Sequence, residues 1–201
     1  MDERKNRLHD VPLFPLSAVL FPEGELRLRI FEPRYLDLVR ECAGGGASFG
    51  VCLILKGSET DALAATASVG TLARIADFFS DENGLLGIRV QGRDRFEVHR
   101  LHMRDSGLAR ADVTCWPREP VMQLPPQFTL LADILRRLIE QAAPHLRHVE
   151  EARFDDASWV GFRLAELLPL EPDERQMMLE LREPAQRLAA LLDRMPRFQR
   201  G

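Results

Sequence analysis

Lysine is nearly missing from this 201-residue chain, whose 27 lysines and arginines include only Lys5 and Lys56. A phosphate-binding P-loop needs Gly-x4-Gly-Lys-Ser/Thr, because backbone amides and the lysine cradle the phosphates together. Lys56 lies between Leu55 and Gly57, so that motif is absent. A serine–lysine hydrolase needs a buried lysine to take the serine's proton. Lys56 and Ser58 instead close an apparent strand and enter a loop, where a solvated lysine is expected. Gly-x-Ser-x-Gly and His-Glu-x-x-His are both missing, which removes the hydrolase elbow and the zincin helix. Cysteine is sparse as well: Cys42, Cys52 and Cys115 lie far apart without a Cys-x-x-Cys pair. Their spacing argues against a disulfide framework or zinc knuckle and for a reducing, cytoplasmic setting. The longest stretch without charge, Cys42 to Leu55, contains four glycines. It is shorter than the roughly 20 apolar residues that cross a bilayer. Three acidic and three basic side chains crowd the first ten residues, so neither a membrane span nor a signal peptide is expected.

What is present describes a globular chain: 45% hydrophobic residues, 29% charged, and a net charge of -4. Counting Asp, Glu, Lys and Arg gives -2 for residues 1–120 and -2 for 121–201. With a pI near 5.8 there is no basic half to hold phosphates, and nucleic acid is not the expected partner.

The first 120 residues carry strand patterns. Val11 to Leu16 is apolar and broken by prolines, as suits an edge or a strand start. Leu26-Arg-Leu-Arg-Ile30 alternates with period two, the mark of a half-buried strand. Phe49 to Leu55 and Gly70 to Ala76 follow, then an Asn83-Gly84 turn of hairpin type. Leu85 to Gln91, Arg95 to Met103 and Ala109 to Trp116 read as three more strands, divided by Gly92-Arg-Asp and Asp105-Ser-Gly107. Closely spaced strands with tight turns favour a barrel or sandwich. Pro33 opens one helix whose Tyr35, Leu36, Leu38, Val39 and Cys42 share a face, with Gly44-Gly-Gly46 as its stop. Residues 57–69 read as a loop. Beyond the proline-rich 117–126, the period becomes 3.6. Four amphipathic helices are expected: one around Leu130 to Ile139, one capped by Asp156 or Ser158, and one each from Pro172 and Pro184. The third should bury Met177, Met178 and Leu181. Two domains result, 1–120 a β-barrel with one helix and 121–201 a four-helix bundle.

Little in this pattern carries chemistry. His99 and His102 stand three apart on one strand and should face opposite ways. His145 and His148 have no third ligand near them, so no metal is expected. Glu32, Asp37 and Glu41 line one side of the first helix, where a solvated acidic face is the plain expectation. Phe21 and the Phe78-Phe79 pair fall in or beside expected loops, where apolar surface can remain exposed.

Several motifs occur together in order. Pro12-Leu-Phe-Pro-Leu-Ser-Ala-Val-Leu-Phe-Pro22 and Leu28-Arg-Ile-Phe-Glu-Pro-Arg-Tyr35 resemble the opening of the Lon protease N-terminal (substrate-binding) domain family. Phe49-Gly-Val, Val69-Gly-Thr-Leu-Ala-Arg-Ile75 and Gly92-Arg-Asp-Arg-Phe96 resemble its later strands. Leu164 to Leu170, Glu174 to Glu180 and Arg187-Leu188 resemble the helices that follow. The resemblance spans nearly the whole chain and implies an α+β fold: a mainly antiparallel PUA-like β pseudobarrel followed by a C-terminal helical bundle. In full-length Lon this domain recognises unfolded or degron-bearing substrates, while AAA+ and serine–lysine peptidase modules act downstream. Neither module is expected in these 201 residues.

The expectation is therefore a stand-alone, non-enzymatic protein- or peptide-binding module without a cofactor, an adaptor or regulator in protein quality control. Its expected partners are unfolded or degron-bearing proteins, together with a cooperating protease. RNA binding by a PUA-like fold is the alternative, on fold analogy alone. Glu32, Arg34 and Tyr35 are the candidate polar contacts and Phe78 and Phe79 the apolar ones, in a groove between barrel and bundle. For Arg34, pairing with Glu32 is the plainer expectation.

Overall fold

Alternation and turn chemistry place the strands, and a ring of pairings closes them. The computed structural model describes residues 6–44, 47–59, 65–80 and 84–198. The backbone divides into two units with the boundary between Arg118 and Glu119. Among the described residues the first unit holds β1 (Arg7–Leu16), β2 (Glu25–Ile30), α1 (Pro33–Cys42), β3 (Phe49–Lys56), β4 (Ala65–Thr66), β5 (Val69–Ser80), β6 (Leu86–Met103) and β7 (Ala109–Cys115). The sheet runs β1-β7-β6-β5-β3-β4. β1 also pairs with β3 in parallel, Leu13 beside Gly50 through Leu16 beside Leu53. Five strands thus form a closed barrel, and every other pairing is antiparallel. β2 stands outside that ring, on β6 alone.

Leu28 and Ile30 of β2 turn inward to Phe14, Leu38, Phe49, Ile88 and Val90, while Leu13, Leu72, Phe96 and Val113 fill a second cluster. Each such buried side chain contributes about 1.5–3 kcal/mol. Phe21, expected in or beside a loop, is 1% exposed and belongs to the interior.

Three local expectations are corrected. β6 does not stop at Gly92; it continues as one 18-residue strand. A Cβ at Gly92 would lie 2.1 Å from the Phe21 carbonyl oxygen. Its N–H donates to Gly24 O at 2.8 Å, and its own carbonyl accepts from Glu23 N at 3.0 Å. Glycine is needed there for close approach of the 21–24 segment, not for a turn. Gly107 does turn the chain, at φ +79. β5 runs on to Ser80, so Phe78 and Phe79 lie in a strand and not in a 76–84 loop. The 57–69 segment contains the short strand β4. Residues 60–64, and Asp81 to Asn83 of the expected hairpin turn, lie outside the described residues.

The second unit is helical: α2 (Thr129–Ala142), α3 (Ala157–Leu167), α4 (Pro172–Glu180), α5 (Pro184–Leu192) and the single turn α6 (Met195–Phe198). The Asp156 carboxylate caps α3 by accepting from Ser158 N–H at 3.0 Å. Prolines open α4 and α5 at positions whose N–H has no helical partner. α3 packs against α2, α4 and α5. The apolar stripes are narrower than their periodicity suggests. Leu130 is 52% and Met177 37% exposed, while Leu131, Leu135, Met178 and Leu188 are fully buried. Arg187 is buried as completely as they are.

Candidate functional site

The candidates at the start of α1 form a connected wall. Glu32 is the N-cap with extended backbone, and its carbonyl accepts from Tyr35 and Leu36 N–H at 3.0 and 3.2 Å. Its carboxylate lies 2.9 Å from Arg34 Nη2. That same nitrogen donates to the Glu59 carbonyl at 2.8 Å, and the Glu59 carboxylate accepts from Ser17 N–H at 2.8 Å. The Arg34 guanidinium lies 4.7 Å from the centre of the Tyr35 ring, whose other partner is Phe14, stacked at 3.9 Å and 7°. Arg34 and Tyr35 are 8% and 4% exposed. Burial pushes the Tyr35 hydroxyl up to about 12, with Arg34 opposing the shift and Glu32 and Glu59 adding to it. These residues hold the shape of the wall and offer little of their own surface.

Phe78 and Phe79 sit one residue apart on β5 and therefore point to opposite faces. Phe78, beside Ile88, is 46% exposed. Phe79 lies beside Gly87, where an added Cβ would come within 2.3 Å of its ring. Glycine lets the ring lie across β6, and the Arg27 guanidinium from β2 stands 4.2 Å from the ring centre. An exposed stack of this kind is worth about 0.5–1 kcal/mol. Arg89 on the same face approaches Glu25 at 3.6 Å and Asp77 at 3.5 Å. Beyond the last β2–β6 pair, Ile30 beside Leu86, stand Phe31 at 58% and Leu85 at 41% exposure. No hydrogen bond or ring contact among the described residues joins Phe78 or Phe79 to Glu32, Arg34 or Tyr35. The five candidates form two groups.

A third cluster was not read from the sequence. Asp10, with φ 55, sits in a bulge of β1 between Leu8 and Val11. Its carboxylate meets Arg104, His102 Nε2 at 2.8 Å and Arg110 Nε at 2.8 Å. Arg110 also makes a two-pronged pair with Glu41 at 2.7 and 2.8 Å. These bonds tie the end of α1 to the barrel and line an open depression of about 550 Å³ with Asp37, Asp105, Ser106 and Leu108. The Arg110 hydrogen bond holds the Glu41 carboxyl below its usual range. A general acid needs the opposite shift. The three carboxylates of α1 do not act together either: Glu32 pairs with Arg34, Asp37 with Arg40 and Glu41 with Arg110.

The remaining chemistry-bearing groups sit in structural settings. Lys56 is exposed at the end of β3. Burial pushes the Cys52 and Cys42 thiols up to about 12 and about 11, away from reactive thiolates. His99 bonds Thr114 Oγ1 at 2.7 Å. Among the described residues no group of three or more His, Cys, Asp or Glu side chains is placed to hold a metal ion.

The alternation of β2 puts Arg27 and Arg29 on its exposed side, opposite the buried Leu28 and Ile30. Asp10, Arg104 and Arg110 carried no signal, because their meeting depends on pairings across 94 and 100 positions.

The family model of the ATP-dependent protease La (LON) substrate-binding domain matches residues 10–197. A crystal structure of a Lon N-terminal domain protein from Xanthomonas campestris is 41% identical, with a TM-score of 0.77, covering 92% of this chain and 98% of that one. The N-terminal domain of Lon protease from the Mycobacterium avium complex shares the fold, at 16% identity and a TM-score of 0.67, over 92% and 96% of the two chains. The protein cereblon of Danio rerio is 25% identical over 117 residues, which is 56% of this chain but 27% of that protein's length.

Proposed function

Because the chain belongs to the family of ATP-dependent protease La (LON) substrate-binding domains, we propose that it holds exposed segments of unfolded or degron-bearing proteins without acting on them chemically. In this reading it is an adaptor or regulator in protein quality control that works beside a protease.

The observation that carries the reading is exposed apolar surface at one end of the β2–β6–β5 ribbon: Phe31 and Leu85 just past the last β2–β6 pair, and Phe78 on the face opposite Arg27, Arg89 and Phe79. Apolar surface rimmed by charge is a signature of protein contact. Phe79 packs on the other face of the ribbon, under the Arg27 guanidinium. Glu32, Arg34 and Tyr35 support the wall from which Phe31 projects, with Glu32 the most accessible of the three. The test is capture of a reduced, alkylated client protein by the purified chain. Phe31→Ser and Phe78→Ser replace exposed side chains, so the fold should survive and recovery should fall several-fold. Equal recovery by wild type and both variants removes this surface from consideration.

A further inference from the structure

Resting on the reading that this domain holds protein segments, we propose that the start of α1 is a binding site for an acidic residue within such a segment, and that the chain's own Glu59 occupies this site until a client replaces it. β1 and β3 run parallel, with Leu16 beside Leu53, so the chain leaves both strands at the same end of the barrel. Ser17 follows β1 directly, and Glu59 lies just past Lys56, the last residue of β3. There Glu59 makes two contacts at once. Its carbonyl accepts from Arg34 Nη2 at 2.8 Å, and its carboxylate accepts from the Ser17 N–H at 2.8 Å. Burial raises the Tyr35 hydroxyl most, and Arg34, Glu32 and Glu59 each act on it as well, which gathers the three charges around one point.

Glu59 fills the site incompletely, and what it leaves over defines a better ligand. Arg34 Nε and Glu32 Oε1 are buried, and among the described residues neither has a hydrogen-bond partner. A guanidinium holds a carboxylate most strongly through two parallel N–H donors. Arg34 instead gives Glu59 only Nη2, and gives it to a neutral carbonyl, while Nε stands idle. A client carboxylate in place of that carbonyl takes Nε and Nη2 together. The Ser17 N–H is then free for a carbonyl of the same segment, and Glu32 Oε1 for one of its N–H groups. Glu59 reaches its two donors with a backbone carbonyl and a side-chain carboxylate. An internal acidic residue carries the same two groups, so the occupant is such a residue rather than a chain terminus. The exchange conserves charge: Arg34 keeps Glu32 at 2.9 Å, and the client's charge enters as that of Glu59 leaves. Phe31, next to Glu32 and 58% exposed, offers surface to an apolar neighbour of the acidic residue.

The test measures fluorescence anisotropy of labelled ten-residue peptides against the intact chain, with a reduced, alkylated client protein as a separate arm. One peptide, blocked at both ends, carries a single glutamate among leucines and serines. A second has glutamine in its place, and a third keeps the glutamine but ends in a free carboxylate. The glutamate peptide should bind at least about fivefold more tightly than either, as a charge-assisted fork requires. Glu59 is tethered and competes at high effective concentration, so Glu59→Ala should tighten the glutamate peptide about fivefold or more and leave the glutamine peptide within about twofold. Arg34→Lys in the Glu59→Ala background keeps the charge without the fork and should lose most of the glutamate preference. If circular dichroism shows that variant unfolded, the Glu59→Ala comparison decides alone. Client binding with peptides that fail to bind, that bind alike or that favour the free terminus overturns the acidic site and leaves the broader reading standing. So does a Glu59→Ala chain that gains nothing or gains equally for both blocked peptides, or a folded Arg34→Lys chain that keeps the preference. Failure to bind client and peptides alike overturns both.

Discussion

Replacing Arg187 by methionine should unfold the helical unit far more readily than any exposed substitution. Arg187 is 0% exposed. Its Nε donates to Met178 O at 3.0 Å and its Nη2 to Leu181 O at 2.7 Å. Its two terminal nitrogens reach the Glu119 carboxylate at 3.0 and 2.5 Å, and Glu119 is itself only 6% exposed. The guanidinium lies 3.7 Å from the centre of the Phe162 ring, and the stem packs against Gly161. Methionine keeps much of the stem but takes the cationic partner from a buried carboxylate, which keeps its bond from Ser158 Oγ, and the donor from two carbonyls. Breaking a buried pair by removing one partner costs about 3–5 kcal/mol, a large share of the roughly 5–15 kcal/mol that holds a domain folded. Glu119→Gln/Arg187→Met removes the stranded charge and should be more stable than Arg187→Met alone by about 1 kcal/mol or more. Urea unfolding followed by circular dichroism at 222 nm, arranged as a double-mutant cycle, measures both quantities. A single-variant loss below about 1 kcal/mol, or losses that simply add, would refute the argument that the two side chains form one buried charged unit.

Two glycine substitutions on β6 should separate backbone clash from side-chain clash. Gly92→Ala drives a Cβ into the Phe21 carbonyl and should cost about 1–3 kcal/mol. At Gly87→Ala the three atoms nearest the new Cβ all belong to the Phe79 ring, which can swing aside for about 1 kcal/mol or less, the worth of its Arg27 stack; equal shifts in urea midpoint would contradict this. Acid should loosen the α4–α6 contact: hydrogen bonding from Arg197 and Arg194 holds Glu174 at about 2 against an ordinary 4.5. The folded value is the lower one, so this stabilisation is present above about 4.5 and is lost as pH falls toward 2. Wild type should therefore melt above Glu174→Gln at neutral pH, with the gap narrowing steadily as pH falls from 4.5 toward 2; a constant gap would count against the pairing. Arg110→Met removes charge-assisted bonds to Glu41 and the Asp10 carbonyl, each worth about 1.5–3 kcal/mol. Faster hydrogen exchange along α1 is the expected readout.

The order of strands and helices was legible because its signals are local. Alternation in Leu26 to Ile30, the turn at Gly107 and proline at the starts of α4 and α5 act within a few residues and appear where expected. Gly92 was misread because close approach and turning both require glycine, and only the distant Phe21 carbonyl distinguishes them. Barrel closure depends on β1 meeting β3 in parallel, a pairing no local pattern announces. In the candidate site, the exposure of each residue is set by neighbours distant in sequence. Tyr35 is a candidate contact residue by sequence, and Phe14, 21 positions earlier, stacks against it and buries it. Phe78 and Phe79 looked alike as a pair, and strand alternation gives one to the surface and the other to Arg27.

The most direct measurement is hydrogen exchange of the intact chain with and without excess unfolded client. Slowed exchange across Glu25–Ile30, at Leu85 and at residues 86–89 of β6, with Phe78→Ser diminishing the effect, is the predicted result. Protection confined to α2 through α6, or none at client concentrations that saturate binding, would contradict the claim that the β2–β6–β5 face does the holding.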